Sequence, residues 1–348
     1  MSAPIDLHAH STCSDGVLDP VELVRQAASA GAEVFALTDH DTMRGCALAQ
    51  AEAEARGIRF VPGMEISTRH GDHDVHLLAL FLRAPDLSAF EAQRAEARHT
   101  RFWAMAERLA ELGLPLERAA LEAAIAGASP GRPHLARALV AAGHVADDHE
   151  AFARFLGRGR PGHVAQRVPT TVDAIAQVRA WGGVSSVAHP GLDGLGPILS
   201  ELAAAGLDAV EAYHGGHAPD QAAALAAQSA ELGLLVSGGS DFHGPAQGRP
   251  PGRSPLSPDA WDPLLVRLVE RARGERTAAP ARTRPPRSSM PVVPLRRRLA
   301  HGRPRDPGRR DRRPRARAQR LLEATLQHQP ALPTGPAHCG CCSWASAL

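Results

Sequence analysis

Histidine and carboxylate side chains recur along the first 250 residues, close to the ends of short apolar runs. The candidates for metal binding are His8, His10, Asp39, His40, Glu65, His76, His189, His214, His217, Asp241 and His243. Imidazole and carboxylate groups without thiolates favour Zn²⁺, Mn²⁺ or Fe²⁺ over copper(I) or iron–sulfur clusters. Because a single ion uses about five or six ligands at most, a set of this size indicates a cluster of two or three divalent ions.

Clusters of divalent ions are suited to phosphoryl hydrolysis, because they activate water near neutral pH and neutralise charge on phosphate oxygens. Glu65 and Asp241 are the candidate catalytic carboxylates, since carboxylates can bridge two ions. His217, in the segment Tyr213-His214-Gly215-Gly216-His217, is a candidate general acid or phosphate contact, and a structural role is the alternative. A single His after a strand is usually structural. The occurrence of all these groups in order, over about 240 residues, favours a shared metal site over separate structural roles.

Seven short apolar runs provide the elements that position these residues. The runs are Ile5–Leu7, Val34–Leu37, Phe60–Val61, Val75–Leu82, Val184–Ala188, Ala209–Val210 and Leu234–Val236. Ala-rich stretches with helical spacing separate most of them, a rhythm typical of parallel α/β folds. Glu65 follows the third run, His76 lies in the fourth, and the other candidates follow their runs within a few residues. In a barrel of parallel strands the carboxyl ends meet at one mouth, so we expect these side chains to share one pocket.

The alternation of apolar runs and helical stretches is interrupted once and ends before the C-terminus. Residues 86–168 are predicted to be a helical insertion, placed between a first barrel part at 1–85 and a second part at 169–274. Residues 275–348 are rich in Arg and Pro and lack apolar periodicity, which predicts disorder. A frameshift in a GC-rich gene is an alternative origin of this tail. The Cys339-Gly340-Cys341-Cys342 segment has no second Cys/His pair at a suitable distance, so no metal is assigned to it.

The net charge of +2 hides two regions of opposite sign. Residues 1–275 carry 23 Arg and 34 acidic residues, whereas residues 276–348 carry 16 Arg and 3 acidic residues. No uninterrupted apolar run exceeds six residues, so no membrane span is predicted. With no visible secretion signal and only five Cys, the expected setting is a reducing cytoplasm. No obligate protein partner is evident.

Several motifs resemble those of the PHP (polymerase and histidinol phosphatase) superfamily of metallophosphoesterases. They are His8-Ala9-His10, Asp15, Thr38-Asp39-His40, Pro62-Gly63-Met64-Glu65, His76, Ala188-His189-Pro190 and Gly239-Ser240-Asp241-Phe242-His243. The resemblance covers about residues 4–255 and implies a distorted (β/α)₇ barrel. It further implies three ions: one held by His8, His10, Glu65 and Asp241, a second by Glu65, His76 and His189, and a third by Asp15, His40 and His243. Asp39 and Asp41 would then support the ligands.

The insertion resembles that of the 3′,5′-nucleoside bisphosphate phosphatases and of 5′→3′ exoribonucleases that trim very short RNAs. Its Gly131-Arg132-Pro133-His134 segment makes Arg132 and His134 candidate contacts for a second phosphate, because Arg offers a planar fork of donors. Arg167 is a further candidate for anion binding. The resemblance therefore implies a small nucleotide or very short RNA as substrate. Related proteins tend to have an aromatic residue and a Pro-His pair where this chain has His163-Val164-Ala165-Gln166.

Three alternatives remain open at this point. Histidinol-phosphate phosphatase is the rival within the same fold, although the insertion offers no obvious pocket for an amino alcohol. A proofreading exonuclease domain is another, but such domains usually form part of a polymerase. A protein of a different class would bind RNA through the basic tail, at Arg296–Arg298 and Arg309–Arg317, and have an inactive metal site.

Overall fold

The computed structural model of the chain describes residues 5–245, 250–252, 254 and 256–274. Its strands form one seven-stranded sheet in chain order: β1 (Ile5–Asp6), β2 (Val34–Leu37), β3 (Arg59–His70), β4 (His73–Leu80), β5 (Val184–Val187), β6 (Ala209–His214) and β7 (Leu235–Gly239). Each of the seven predicted runs contains part of a strand, which confirms the prediction of a seven-stranded α/β barrel. The predicted tail at 275–348 lies outside the described residues.

Backbone contacts between the first and last strands bring the sheet close to a complete barrel. The Leu7 amide donates to the Gly238 carbonyl at 3.1 Å. Beyond the strand ends, the Asp241 amide donates to the His8 carbonyl at 2.8 Å and the His10 amide to the Phe242 carbonyl at 2.9 Å. Closure therefore places the segment after β7 beside the segment after β1, although about 230 residues separate them in the chain.

The expectation of an all-parallel barrel is wrong for β4, which is antiparallel to both β3 and β5. Only Gly71 and Asp72 separate β3 from β4, and a parallel pair needs a crossover of about a dozen residues or more. A hairpin is therefore the only pairing that this connection permits. Consequently Glu65 lies in the middle of the long β3 strand rather than after it, and His76 pairs with Ser67 across the hairpin.

Helices connect and cover the strands. The described α-helices are α1 (Pro20–Ser29), α2 (Cys46–Ala55), α3 (Ser88–Glu111), α4 (Arg118–Ala124), α5 (Arg132–Ala141), α6 (Asp148–Ala151), α7 (Thr171–Ala180), α8 (Leu199–Ala204), α9 (Pro219–Glu231) and α10 (Pro258–Ala272). A π-helical turn, Phe152–Leu156, follows α6, and a 3₁₀ turn, Gly196–Ile198, precedes α8. The predicted start of α1 is confirmed, because the Asp19 carboxylate caps it by accepting from Val21 N and Glu22 N.

The two faces of the sheet belong to different apolar clusters. Phe35 and Leu37 of β2 pack in the cluster that contains residues of α1, α2 and α7. Val34 and Ala36, which alternate with them, pack in the cluster that contains the buried residues of α10. The helices between β4 and β5 have a core of their own, formed by residues such as Phe102, Leu109, Leu121, Leu135 and Leu156. Within the described residues, no helix is both long and apolar enough to cross a bilayer.

Candidate metal centre and anion pocket

Four predicted ligands from three separate parts of the barrel meet at its mouth. The Nε2 atoms of His8 and His10 lie 3.1 Å apart. Glu65 Oε2 lies 3.4 and 3.2 Å from these two nitrogens, and Asp241 Oδ1 lies 3.3 and 3.2 Å from them. Bonds of about 2.0–2.1 Å to one tetrahedral ion would separate neighbouring ligand atoms by about 3.3 Å. The spacing of this first group therefore matches a single divalent ion.

The other oxygen of Glu65 faces a second group. Glu65 Oε1 lies 2.9 Å from His76 Nδ1 and 3.2 Å from His189 Nε2. His76 reaches this position from β4, so the hairpin rather than a strand end supplies it. Glu65 thus presents one oxygen to each group, which is the arrangement that a carboxylate bridging two ions requires.

A third group lies around Asp15. Its Oδ1 is 3.3 Å from His243 Nε2 and its Oδ2 is 3.6 Å from His40 Nε2. The other nitrogen of His40, Nδ1, lies 3.0 Å from Glu65 Oε2. The structure therefore brings all nine predicted ligands into one connected cluster, drawn from segments spread between residues 8 and 243.

The protonation of the imidazoles follows from their second contacts. His8 Nδ1 donates to the Glu211 carboxylate, with N–O distances of 3.1 and 3.2 Å. His189 Nδ1 donates to Asp193 at 2.7 Å, and His243 Nδ1 donates to the Asp241 carbonyl at 3.0 Å. Because these acceptors cannot donate, Nδ1 of each ring keeps a proton. Burial alone would lower the pKa of these imidazoles, but the surrounding carboxylates raise it, so a bound cation would take the place of the proton on Nε2. Each Nε2 atom then offers a lone pair toward the cluster, as a metal ligand must.

Glu211 is a functional residue that the sequence reasoning missed. It lies on β6, is fully buried, and also accepts from the His189 backbone amide at 2.7 Å. It therefore fixes two ligand-bearing segments at once. The signal was present in the sequence: Glu211 is a charged residue inside the apolar run Ala209-Val210-Glu211-Ala212, where a solvent-facing charge has no place.

Buried atoms without a protein partner test whether a cation fits here. Among the described residues, several of the buried side-chain atoms without a hydrogen-bond partner belong to this cluster: Asp15 Oδ1, His40 Nδ1, Glu65 Oε2, His76 Nδ1 and His214 Nε2. Unsatisfied buried acceptors are costly unless another partner is supplied. Oxygen and imidazole donors at this spacing suit divalent ions of the zinc and manganese type. The residues present therefore fit metal binding.

The carboxylates of the cluster remain ionised. Burial opposes this, but the neighbouring imidazoles, with His40 first for both Asp15 and Glu65, hold the pKa of these two carboxyls well below the ordinary range. Asp241 behaves in the same way beside His8 and His243. The three carboxylates are therefore available as anionic ligands for a cation.

Asp39 and Asp41 support the site from behind. Asp39 accepts from the Ser11 amide at 2.8 Å and from the Ser14 hydroxyl at 2.5 Å, which ties the loop after β1. Asp41 accepts from Arg98 Nε at 2.5 Å and lies 3.4 Å from Arg94 Nε, so it joins the barrel to helix α3. Both residues therefore contact protein groups, as the resemblance implied, and neither is needed as a ligand.

A polar pocket of about 200 Å³ opens above the cluster. Its floor consists of seven of the predicted ligands, and its walls carry Arg98, Arg101, Arg132, Phe152 and Gln166. The Arg132 guanidinium lies 5.6 Å from the Phe152 ring centre. In the described part of the chain it has no hydrogen bond or ion pair, so its donors remain available to an anion. This placement agrees with the expected role of Arg132.

The structure places the other three predicted contacts differently. His217 Nδ1 donates to the Ala212 carbonyl at 3.0 Å and its Nε2 accepts from the Gly191 amide at 3.2 Å, so it braces the loop after His189 instead of facing the pocket. His134 is buried, and its Nδ1 accepts from the Gly131 amide at 3.2 Å, which caps helix α5. Arg167 is exposed and lines a separate open groove.

Comparison with known proteins agrees with the motifs and the geometry. Residues 6–109 match the PHP domain family. The chain is 36% identical over 288 residues to a 3′,5′-nucleoside bisphosphate phosphatase of Chromobacterium violaceum, an alignment that covers 78% of this chain and 99% of that protein. It is 34% identical over 249 residues to the 5′-3′ exoribonuclease Rnm of Escherichia coli, with 69% and 85% covered.

A solved structure shows the same fold. It is that of a predicted metal-dependent phosphoesterase from Bifidobacterium adolescentis, with a TM-score of 0.70 and 32% identity, covering 77% of this chain and 97% of the other. The family assignment is supported by the motifs, the barrel topology, the clustered ligands and relatives that align over most of their length. The chain belongs to the PHP family.

Proposed function

We propose that this chain is a metal-dependent phosphoesterase that removes the 3′-phosphate of nucleoside 3′,5′-bisphosphates and also acts on short 5′-phosphorylated RNA. One observation carries the proposal: a single pocket has a floor of metal ligands and a wall of arginines. A substrate with two phosphates on one nucleoside would place one at each. The named activities of the bacterial relatives support this choice.

The ligand groups would hold two to three divalent ions of Mn²⁺, Fe²⁺ or Zn²⁺. His8, His10, Glu65 and Asp241 would hold the first, with Glu65 shared with the second. When bound, such ions supply a nucleophile near neutral pH and neutralise charge on the phosphoryl oxygens. The remaining ligands would be those of the second and third groups described above.

The protein's own residues provide orientation and charge complementarity. Glu211 holds the His8 ring so that its Nε2 lone pair faces the first group. The Arg98–Asp41 ion pair, together with a 3.3 Å bond from Arg98 Nη1 to the Pro130 carbonyl, fixes the start of helix α5 over the barrel. Arg132, at that start, then projects a planar set of donors toward the second phosphate.

Phosphate release from three substrates tests the proposal. Adenosine 3′,5′-bisphosphate, a 5′-phosphorylated trinucleotide and histidinol phosphate are compared with each metal in turn. We expect the bisphosphate to give the highest kcat/KM and histidinol phosphate to be poorly hydrolysed. A preference for histidinol phosphate would overturn the substrate assignment, and no hydrolysis of any phosphate ester with any metal would overturn the activity itself.

A further inference from the structure

We infer that the helical insertion completes the third metal position, with Arg137 of helix α5 as the positioning residue for Asp15. This inference deepens the proposed function, because it rests on the metal binding proposed there. All nine predicted ligands come from the two barrel parts of the chain. The metal centre is then built by the barrel and the insertion together, although the insertion supplies no ligand of its own.

Asp15 lies between β1 and helix α1, in a segment of residues 11–17 that we call the Asp15 loop. The loop turns on itself, because the Ser14 and Gly16 amides both donate to the Ser11 carbonyl at 3.0 Å. It contains no residue of a strand or a helix. Since such a segment has few backbone bonds of its own, the position of the Asp15 carboxylate depends on what holds the loop.

Three residues of the insertion contact the Asp15 loop. The Ser129 amide donates to the Cys13 carbonyl at 2.8 Å. Arg137 Nη1 donates to the Asp15 carbonyl at 3.1 Å, although 122 residues separate the two in the chain. Gly131 packs beside the same residue, since a Cβ there would lie 3.4 Å from Asp15 Oδ2. The insertion therefore holds the backbone that presents the Asp15 carboxylate.

The bond from Arg137 is directed to the Asp15 backbone and to nothing else in the described chain. No described carboxylate lies within 4.0 Å of this guanidinium group, and the Asp15 carbonyl is its hydrogen-bond acceptor. A bond from a charged donor is stronger than a neutral one. Because the side chain is half-buried, water competes for it less than at the surface. Arg137 is therefore suited to hold the loop in one place.

A second ligand of the third group is also tied to the insertion. Asp41, directly after His40, accepts from Arg98 Nε at 2.5 Å. The next residue, Thr42, donates through its hydroxyl to Glu91 Oε1 at 2.9 Å. Arg98 and Glu91 both belong to helix α3. Two of the three ligands of this group thus lie in segments that the insertion holds.

The geometry of the third group explains why the loop must be held. Asp15 presents Oδ1 to His243 Nε2 at 3.3 Å and Oδ2 to His40 Nε2 at 3.6 Å. Metal–ligand bonds tolerate deviations of only about 0.2 Å. A small movement of the Asp15 backbone would therefore weaken binding at this position, whereas the first group contains no residue of the loop.

The test is a competition titration of the chelator-treated full-length protein with Mn²⁺ against a fluorescent chelator. We expect Arg137→Met to weaken one binding step by about 10-fold to 100-fold, the usual cost of removing a group that orients a ligand, and to leave the other steps within about twofold. Arg137→Lys keeps a charged donor and should recover part of this affinity. Arg108→Met is the matched control, because Arg108 is exposed on helix α3 and its side chain has no polar partner in the described part of the insertion.

Asp15→Asn identifies which step belongs to the third position. Because Arg137 acts through Asp15, adding Arg137→Met to Asp15→Asn should weaken that step little further. Equal effects of Arg137→Met in both backgrounds would overturn the inference. Wild-type affinity at every step in a folded Arg137→Met protein would do the same, as would a wild type that binds fewer than three ions. A wild type that binds three ions but hydrolyses no phosphate ester would instead overturn the proposed function.

Discussion

Replacing Glu211 with Gln should weaken metal binding although Glu211 is not a ligand. Glu211 Oε2 accepts from the His189 amide at 2.7 Å, and both of its oxygens lie within 3.2 Å of His8 Nδ1. An amide whose oxygen keeps the His189 bond turns its NH₂ toward the His8 Nδ1–H. His8 Nδ1 then loses its hydrogen bond to residue 211, or the ring proton moves from Nδ1 to Nε2, the atom that should bind the ion.

The magnitude follows from these contacts. The variant loses one charge-assisted hydrogen bond to an orienting group, about 1.5–3 kcal/mol. That free energy corresponds to a decrease of about 10-fold to 150-fold in metal affinity, which agrees with the factor of about 10–100 typical for groups that orient ligating histidines. The tightest site should be affected, because His8 belongs to the first group.

The assay is a competition titration of chelator-treated protein with Zn²⁺ or Mn²⁺ against a fluorescent chelator. Glu201→Gln is the matched control: Glu201 Oε2 lies 2.8 Å from His70 Nε2 on the surface, so the same pair type is changed far from the cluster. The control should keep the wild-type Kd. A Glu211→Gln protein that unfolds at the wild-type temperature and binds metal within about twofold of wild type would refute the reasoning.

Four further expectations follow from the same contacts. Saturating metal should raise the Tm of the chelator-treated protein by roughly 5–10 °C in thermal scans, since about 2.7 kcal/mol is gained at 100 times Kd; no shift would contradict a metal site. Asp241→Asn should lower kcat at least about 100-fold with native circular dichroism, and full activity after metal repletion would contradict its role. His217→Gln should leave the shape of the pH–rate profile unchanged, because both ring nitrogens contact backbone groups and the ring does not line the pocket. Asp41→Asn should reduce the urea-derived free energy of unfolding at pH 7 by about 3–5 kcal/mol, because Arg98 and Arg94 lose their counter-charge.

The Asp41 effect should also depend on pH with a defined sign. Burial opposes ionisation, but Arg98 and Arg94 outweigh it and lower the pKa of Asp41 in the folded state. A depressed carboxyl pKa stabilises the fold at pH values above the unfolded value of about 4, and the contribution is lost as pH falls through the folded value. The difference between wild type and Asp41→Asn should therefore shrink on acidification. A difference that grows at low pH would contradict the ion pair.

The sequence could predict the ligands because closure of the barrel brings the ends of strands that are far apart in the chain to one mouth. His8 and His189 follow an apolar run directly and Asp241 follows one within five residues, so the fold class alone places them together. The position of His76 was harder to predict, because an alternation of strands and helices that is typical of parallel folds does not indicate a hairpin. The predicted runs Phe60–Val61 and Val75–Leu82 leave a gap of 13 residues, and the structure shows that the two strands extend until only Gly71 and Asp72 separate them, which excludes a crossover.

Side-chain direction limited the prediction of substrate contacts. Arg167 and its neighbour Gln166 are adjacent in an irregular segment, and no periodicity tells which of them faces the pocket. The structure turns Gln166 inward because Arg101 holds its amide oxygen. The structure directs the ring nitrogens of His134 and His217 to backbone groups for another reason. Backbone groups near each ring compete for its nitrogens, and such competition depends on loop geometry that spacing does not reveal.

Backbone strain is concentrated where the ligands are. The described non-glycine residues with positive φ are Asp41, His189 and Asp241, at 53°, 29° and 52°. Such conformations are uncommon and cost about 1–3 kcal/mol each unless the surroundings enforce them. Each of the three follows a strand within a few residues, and the Asp241 backbone is held by its amide bond to the His8 carbonyl. With these backbones held in place, the His189 imidazole and the Asp241 carboxylate point into the mouth, whereas the Asp41 carboxylate turns to Arg98 and Arg94.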